Sequence, residues 1–116
     1  MNDLIDRICQ PPMKGDEPLS EAEIAKLLPS LPDWRVVERD SIPHLEKSFQ
    51  FPDFKEALVF ANLVGALADK EDHHPAILIS WGRAAVSWWT FVVNGLHEND
   101  FILAARTDLL FQDKNT

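Results

Sequence analysis

The hydrophobic rhythm of this chain changes abruptly across Asp69-Lys70-Glu71-Asp72-His73-His74-Pro75, and that change constrains the fold more than any other feature. Before it, Phe54, Ala57, Leu58, Ala61, Val64, Leu67 and Ala68 recur at helical spacing, widened by Phe60 and Leu63. After it, Ala76 to Trp81 reads as a strand. Pro75 disfavours a helical conformation at His74, so the switch happens over a short, stiff connection. That connection carries two adjacent histidines beside a run of carboxylates. Connections on a rigid scaffold are where chemistry is commonly presented. Imidazole, with an unperturbed pKa of about 6.5, exchanges protons near neutrality.

The rest of the chain arranges itself around this junction. Ser20-Glu21-Ala22-Glu23 has the form of a capping box, so a helix is expected from Ser20. Ile24, Leu27, Leu28 and Leu31 give it an apolar stripe, and Pro29 and Pro32 end it. Trp34 to Glu38 is expected as a strand, Arg39 to Pro43 as a turn and His44 to Phe51 as a second strand. Leu45, Lys47, Phe49 and Phe51 share one side of that pleat. Asp53 repeats the capping pattern and opens the long central helix, where Gly65 suggests close packing. Beyond the histidines, Gly82-Arg83 reads as a tight turn and Ala84 to Val93 as the returning strand. Asn94-Gly95 breaks it. Glu98 to Leu110 forms the last helix, with Phe101, Ile102, Ala105 and Leu109 on its apolar face and Glu98 and Asp100 in its first turn. The order α-β-β-α-β-β-α predicts an α+β fold, a four-stranded antiparallel sheet with helices packed on one face. Residues 1–19, punctuated by Pro11, Pro12, Gly15 and Pro18, are expected to be a loosely held, irregular arm, leaving residues 20–116 as a single domain.

Composition narrows the function classes. The 116 residues suit one domain that needs no staples. The lone Cys9 excludes an internal disulfide framework and a cysteine-rich zinc site, and points to a reducing, cytoplasmic compartment. With 19 acidic against 11 basic residues, a net charge of −8 argues against a nucleic-acid-binding face, which needs clustered Lys and Arg. The start, Met1-Asn2-Asp3-Leu4, lacks the basic region and apolar run of a signal peptide. No window reaches the roughly 20 apolar residues of a membrane helix.

The histidine pair has a bland reading, as a structural pair, and a functional one that its flanks favour. Asp72 can orient or charge an imidazole, and Pro75 fixes the backbone. Trp34, Trp81, Trp88 and Trp89 are available to wall a pocket for a flat, partly apolar ligand. A metal site on His73, His74, His97 and nearby carboxylates is the competing idea. Adjacent residues of an extended segment point to opposite sides, whereas metal ligands converge, so no metal is expected. The same alternation puts one of Trp88 and Trp89 in the core and the other at the surface or site. Asp100 reads equally as a catalytic group or a first-turn helix charge, His97 as a cap and His44 as an ordinary strand residue. There is no nucleophile elbow, P-loop or dinucleotide fingerprint.

Taken as an ordered set, several segments resemble the pterin-4a-carbinolamine dehydratase (4a-hydroxytetrahydrobiopterin dehydratase) family over roughly Ser20 to Leu110. They are Trp34, Phe49-Gln50-Phe51-Pro52-Asp53-Phe54, Asp72-His73-His74-Pro75, Trp81, Trp88-Trp89-Thr90 and Gly95-Leu96-His97-Glu98-Asn99-Asp100-Phe101. The resemblance implies an enzyme, a hydro-lyase that removes water from a 4a-hydroxytetrahydrobiopterin-type carbinolamine and yields the quinonoid dihydropterin. His73 and His74 would be the acid/base pair. Asp72, Pro75, Trp89, Thr90, Phe91, Val92 and Asp100 would contact or orient the pterin, with Trp89 to Val92 as the facing strand. No metal or organic cofactor is implied, since the pterin is the substrate. A homodimer or a homotetramer built as a dimer of dimers is implied, with sheets extended across subunits and helices bundled at the centre.

One departure stands out. The family pattern places a third histidine, less often a tryptophan, ten residues after Trp81, where this chain has Phe91. Phenylalanine can wall a pterin but cannot move a proton. The alternative reading is therefore a catalytically weakened pterin-binding or protein-dimerisation module on the same fold, consistent with the family's second role as a partner of transcription factors.

Overall fold

A computed structural model describes residues 3–114, and Met1 and Asn2 of the arm lie outside the described residues. Seven regular elements appear in the expected order: α1 (Glu21–Leu27), β1 (Arg35–Arg39), β2 (Ile42–Gln50), α2 (Phe54–Glu71), β3 (Ala76–Ser80), β4 (Arg83–Trp88) and α3 (Glu98–Lys114). The strands form one antiparallel sheet in the order β1-β2-β4-β3.

The start signals act as expected. Ser20 caps α1 in a reciprocal capping box: the Glu23 N–H donates to the Ser20 hydroxyl at 3.2 Å, and the Ser20 N–H donates to Glu23 at 2.9 Å. Asp53 caps α2, accepting from the Glu56 N–H at 2.9 Å. Asp40 and Ser41 both adopt positive φ and make a two-residue hairpin turn, so Ile42 and Pro43 join β2 instead of the loop.

The core lies between the sheet and α2 and α3. Leu45, Phe49, Ala84, Val86 and Trp88 from the sheet meet Ala57, Phe60, Val64, Ala68, Phe101, Ile102, Leu103 and Ala105 from the helices, all essentially inaccessible. Alternation explains the tryptophans. Trp88 is fully buried, and Trp89 leaves on the opposite side to stack on His44, with ring centroids 4.0 Å apart. His44 is accordingly a buried residue bonded to Ser87 at 3.1 Å.

Five expectations are corrected. First, β4 stops at Trp88: β3 runs out at Ala76↔Ser87, and pairing with β2 ends at Leu45↔Trp88 although β2 continues to Ile42 against β1. The chain then leaves the ladder, Thr90 bridges to Gly95, and Phe91–Val93 forms a 3-10 turn. Second, α2 carries two apolar faces. Ala57, Phe60, Ala61, Val64 and Ala68 are buried, while Phe54, Leu58, Val59 and Leu63 stay exposed. Third, Gly65 has open space where a Cβ would stand, so it marks no close contact within the chain. Fourth, Leu109 is exposed on α3. Fifth, the arm is irregular but not loosely held. Leu4 is buried in the core and Arg106 donates to the Arg7 carbonyl. The Leu19 N–H donates to the Leu96 carbonyl at 2.8 Å.

Candidate active site

The C-terminus of α2 sets the first histidine. Asp72 takes the left-handed conformation at φ 51°, ψ 45°, a position usually given to glycine that aspartate tolerates. The His73 N–H then returns to the Ala68 carbonyl at 3.1 Å and the Asp72 N–H to that of Asp69 at 3.3 Å. This Schellman-type ending turns the chain sharply enough to bury His73 while Pro75 launches β3. The His73 ring rests on Trp88, with centroids 6.0 Å apart and planes 28° apart. Trp88 is itself fixed by donating from Nε1 to Thr107 at 3.2 Å.

The N-terminus of α3 sets the carboxylate. The His97 N–H donates to Asp100 Oδ2 at 2.9 Å, and the Asn99 N–H donates to His97 Nδ1 at 3.0 Å. His97 is thus the cap, its Nδ1 held as an acceptor, and it does not line the cavity described below. Asp100 is fully buried. Besides the His97 amide it accepts from the Thr90 hydroxyl at 2.8 Å, and its Oδ1 meets His73 Nε2 at 2.7 Å. An ionised carboxylate only accepts, which assigns the His73 proton to Nε2. Thr90 Oγ1 also lies 3.5 Å from Nε2.

Above this pair opens a cavity of about 550 Å³ lined by Cys9, Gln10, Pro11, Pro12, Glu71, Asp72, His73, His74, Trp89, Thr90, Phe91, Val92 and Asn99. The volume falls in the range of small-molecule sites. Most of the residues singled out from the sequence meet here. His73 forms the buried floor, and His74 lines the same cavity as an exposed side chain bonded to Asp69 at 2.9 Å. Asp72 lines the cavity, but the carboxylates that engage the imidazoles are Asp100 and Asp69. Trp89, Thr90, Phe91 and Val92 line it as a loop and turn, not as the expected facing strand. Phe91 is 81% exposed at the rim. Two residues stand outside the lining. Asp100 sits beneath it, and Pro75 is half-buried behind the turn. Of the four tryptophans expected as walls, only Trp89 lines the cavity. Trp34 and Trp88 are core, and Trp81 is exposed at the β3–β4 turn.

Sequence reasoning missed the arm residues Cys9 to Pro12, along with Glu71 and Asn99. Glu71 pairs with Arg106 at 3.1 Å. Burial, with a hydrogen bond to Glu71, pushes the Cys9 thiol up to about 11 against the pull of Arg106, so the thiol stays protonated at neutral pH. Nothing local in the arm signals these contacts, because their partners are some sixty to a hundred residues away in sequence. Among the described residues, no three His, Cys, Asp or Glu side chains form a metal-ligand group. No described helix is long and apolar enough to cross a membrane.

Residues 17–110 match the model of the family described as pterin 4 alpha carbinolamine dehydratase. The chain belongs to that family. Among pterin carbinolamine dehydratase relatives, a candidate pterin-4-alpha-carbinolamine dehydratase of Microcystis aeruginosa is 47% identical over 115 residues, covering 99% of both chains. One of Chlorobium limicola is 49% identical over 107 residues, 92% of this chain and 95% of the relative. The fold is shared with the crystal structure of a transcriptional coactivator/pterin dehydratase from Brucella melitensis. That match has a TM-score of 0.74 and 31% identity, over 81% of this chain and 98% of that one. A pterin dehydratase-like protein that is a RuBisCO assembly factor in the alpha-carboxysome shares the fold at TM-score 0.56 and 24% identity, over 67% of this chain and 88% of that one.

Proposed function

We propose that this chain dehydrates a 4a-hydroxytetrahydrobiopterin-type carbinolamine to the quinonoid dihydropterin, a hydro-lyase step in tetrahydropterin recycling. The observation that carries the reading is the buried His73–Asp100 pair at the floor of a cavity of suitable size. Loss of water from the carbinolamine breaks the C4a–O bond. A proton must reach the departing hydroxyl, and another must leave the ring nitrogen system. Imidazoles perform both transfers near neutral pH. Asp100 fixes the tautomer and orientation of His73, which leaves Nδ1 as the basic nitrogen for proton transfer. His74, exposed at the same mouth, is the second proton carrier. Thr90 holds Asp100 in place. Asp72, Trp89, Phe91 and Val92 wall the pterin, and Pro75 shapes the turn that presents both histidines. The reading needs no metal or organic cofactor.

In this reading residues 20–116 act as one catalytic domain, with the arm completing the cavity, and the protein works in the cytoplasm with no nucleic-acid partner. The exposed apolar residues Leu58, Val59 and Leu63 on α2, and Leu78 on the edge strand β3, favour a homodimer or a homotetramer. A second reading is favoured by Phe91, which puts an aromatic ring at the position of the family's third histidine. On it the chain is a weakened pterin-binding or dimerisation module. The Brucella relative, described as both coactivator and dehydratase, makes such a second role reasonable.

Stopped-flow measurement of carbinolamine dehydration separates the two. Native protein is expected to accelerate the reaction, and the double variant His73→Ala/His74→Ala to leave only the uncatalysed rate. An unchanged rate in the double variant would remove these histidines from the chemistry. No acceleration by the native protein would favour the second reading.

A further inference from the structure

We infer that Asn99 is a positioning residue that pins Cys9 to Pro12 of the N-terminal arm as a fixed wall of the cavity, and that this wall binds the part of the pterin that does not react. The inference rests on the pterin reading above.

The arm has no helix or strand between Arg7 and Leu19, so its backbone groups need partners elsewhere. At Gln10 one side chain supplies both. The Gln10 N–H donates to Asn99 Oδ1 at 2.9 Å, and Asn99 Nδ2 donates to the Gln10 carbonyl at 2.6 Å. The Asn99 amide thus stands in for a neighbouring strand at the one arm residue that sits amid the lining segment. On one side the arm is anchored by buried Leu4, by Arg106 on the Arg7 carbonyl and by the Arg7–Glu98 ion pair at 3.2 Å. On the other it is anchored by the Leu19–Leu96 backbone bond. Asn99 holds the stretch between these anchors.

Asn99 also stands next to Asp100 in the first turn of α3. One helical turn therefore sets both the reacting floor and the opposite wall. The two differ in chemistry. The wall offers the Gln10 side chain, two prolines and a thiol that is protonated at neutral pH. None of these is a proton carrier near neutrality, so the wall contributes binding common to ground and transition states. Binding of that kind lowers KM and leaves kcat alone.

The test compares native protein with Asn99→Ala, Asn99→Asp and Arg7→Ala. Steady-state dehydration gives kcat and KM, and equilibrium dialysis of 7,8-dihydrobiopterin, which carries no 4a-hydroxyl to lose, gives Kd. For Asn99→Ala, KM and Kd are expected to rise about tenfold with kcat held within about twofold. Asn99→Asp keeps the acceptor for the Gln10 N–H but sets a carboxylate oxygen against the Gln10 carbonyl, so it should raise KM and Kd as well. Arg7 does not line the cavity. A rise in KM for Arg7→Ala, smaller but in the same direction, separates pinning of the arm from direct ligand contact, and it carries the test should Asn99→Ala not fold. Folded Asn99 variants with native KM and Kd would overturn the inference and leave the dehydratase reading standing, as would a fall in kcat at unchanged KM. Native protein that neither binds the dihydropterin nor accelerates dehydration would overturn both.

Discussion

The floor and the rim of the cavity are built in opposite ways. At the floor, His73, Asp100 and Thr90 are buried, and every side-chain bond of Asp100 runs to a partner held at a helix end or by the Thr90–Gly95 bridge. At the rim, Phe91 and Val92 lie on a 3-10 turn just past the end of β4, with their side chains largely in solvent. A buried carboxylate left without its donors is costly, so the floor has essentially one arrangement. The exposed Phe91 and Val92 side chains carry no such constraint.

Three substitutions test this division. Trp88→Ala removes the ring under His73 and leaves a large void in the core, so it should cost about 3–5 kcal/mol of stability in chemical denaturation. A cost near that of a surface change would mean that the floor is not supported from beneath. Thr90→Val keeps the shape and deletes the hydroxyl that donates to Asp100, and an expected loss of about 1–3 kcal/mol should appear in the melting curve together with slower turnover. Phe91→His adds a proton carrier to the rim. A rise in kcat of about tenfold is expected, below the upper reach of a positioned acid/base group, and no change in stability. A melting temperature that moves with Phe91 would show the rim to be structural after all.

The smallest effect is one of pH. Burial, and then the nearby Arg39 charge, hold the His44 imidazole below its ordinary 6.5. As pH falls through 6.5 the unfolded chain takes up this proton before the folded one does. The His44 contribution is therefore complete above about 6.5 and lost as pH drops from there through the lowered folded value. His44→Gln should flatten that part of the stability profile. An unchanged slope would assign the acid sensitivity to other groups.

Much of this was legible in the sequence, for reasons that differ by region. Ser20-x-x-Glu23 and Asp53-x-x-Glu56 encode helix starts through contacts three residues apart, and both starts fall where they were expected. Trp88 and Trp89 divide between core and surface by strand alternation. The end of β4 was not legible, because Thr90 to Val93 has strand composition, and what stops the pairing is the start of β3 at Ala76 and the turn of the chain toward the Thr90–Gly95 bridge. The two apolar faces of α2 were merged into one stripe, since spacing cannot tell a core face from an exposed one. At the site, His73 and Asp100 were named, but their 2.7 Å contact joins residues twenty-seven positions apart. The arm's part was hidden for the same reason: its partner amide lies eighty-nine residues away.

The most direct test of the division between floor and rim is a stopped-flow comparison of Asp100→Asn with Phe91→Ala. An amide in place of Asp100 can no longer hold the Nε2–H tautomer of His73 as a carboxylate does, so kcat should fall by about 10²–10⁴-fold. Phe91→Ala should keep kcat within about threefold and act on KM. If Asp100→Asn turns over at the native rate while Phe91→Ala does not, the chemistry belongs to the rim and the account is wrong.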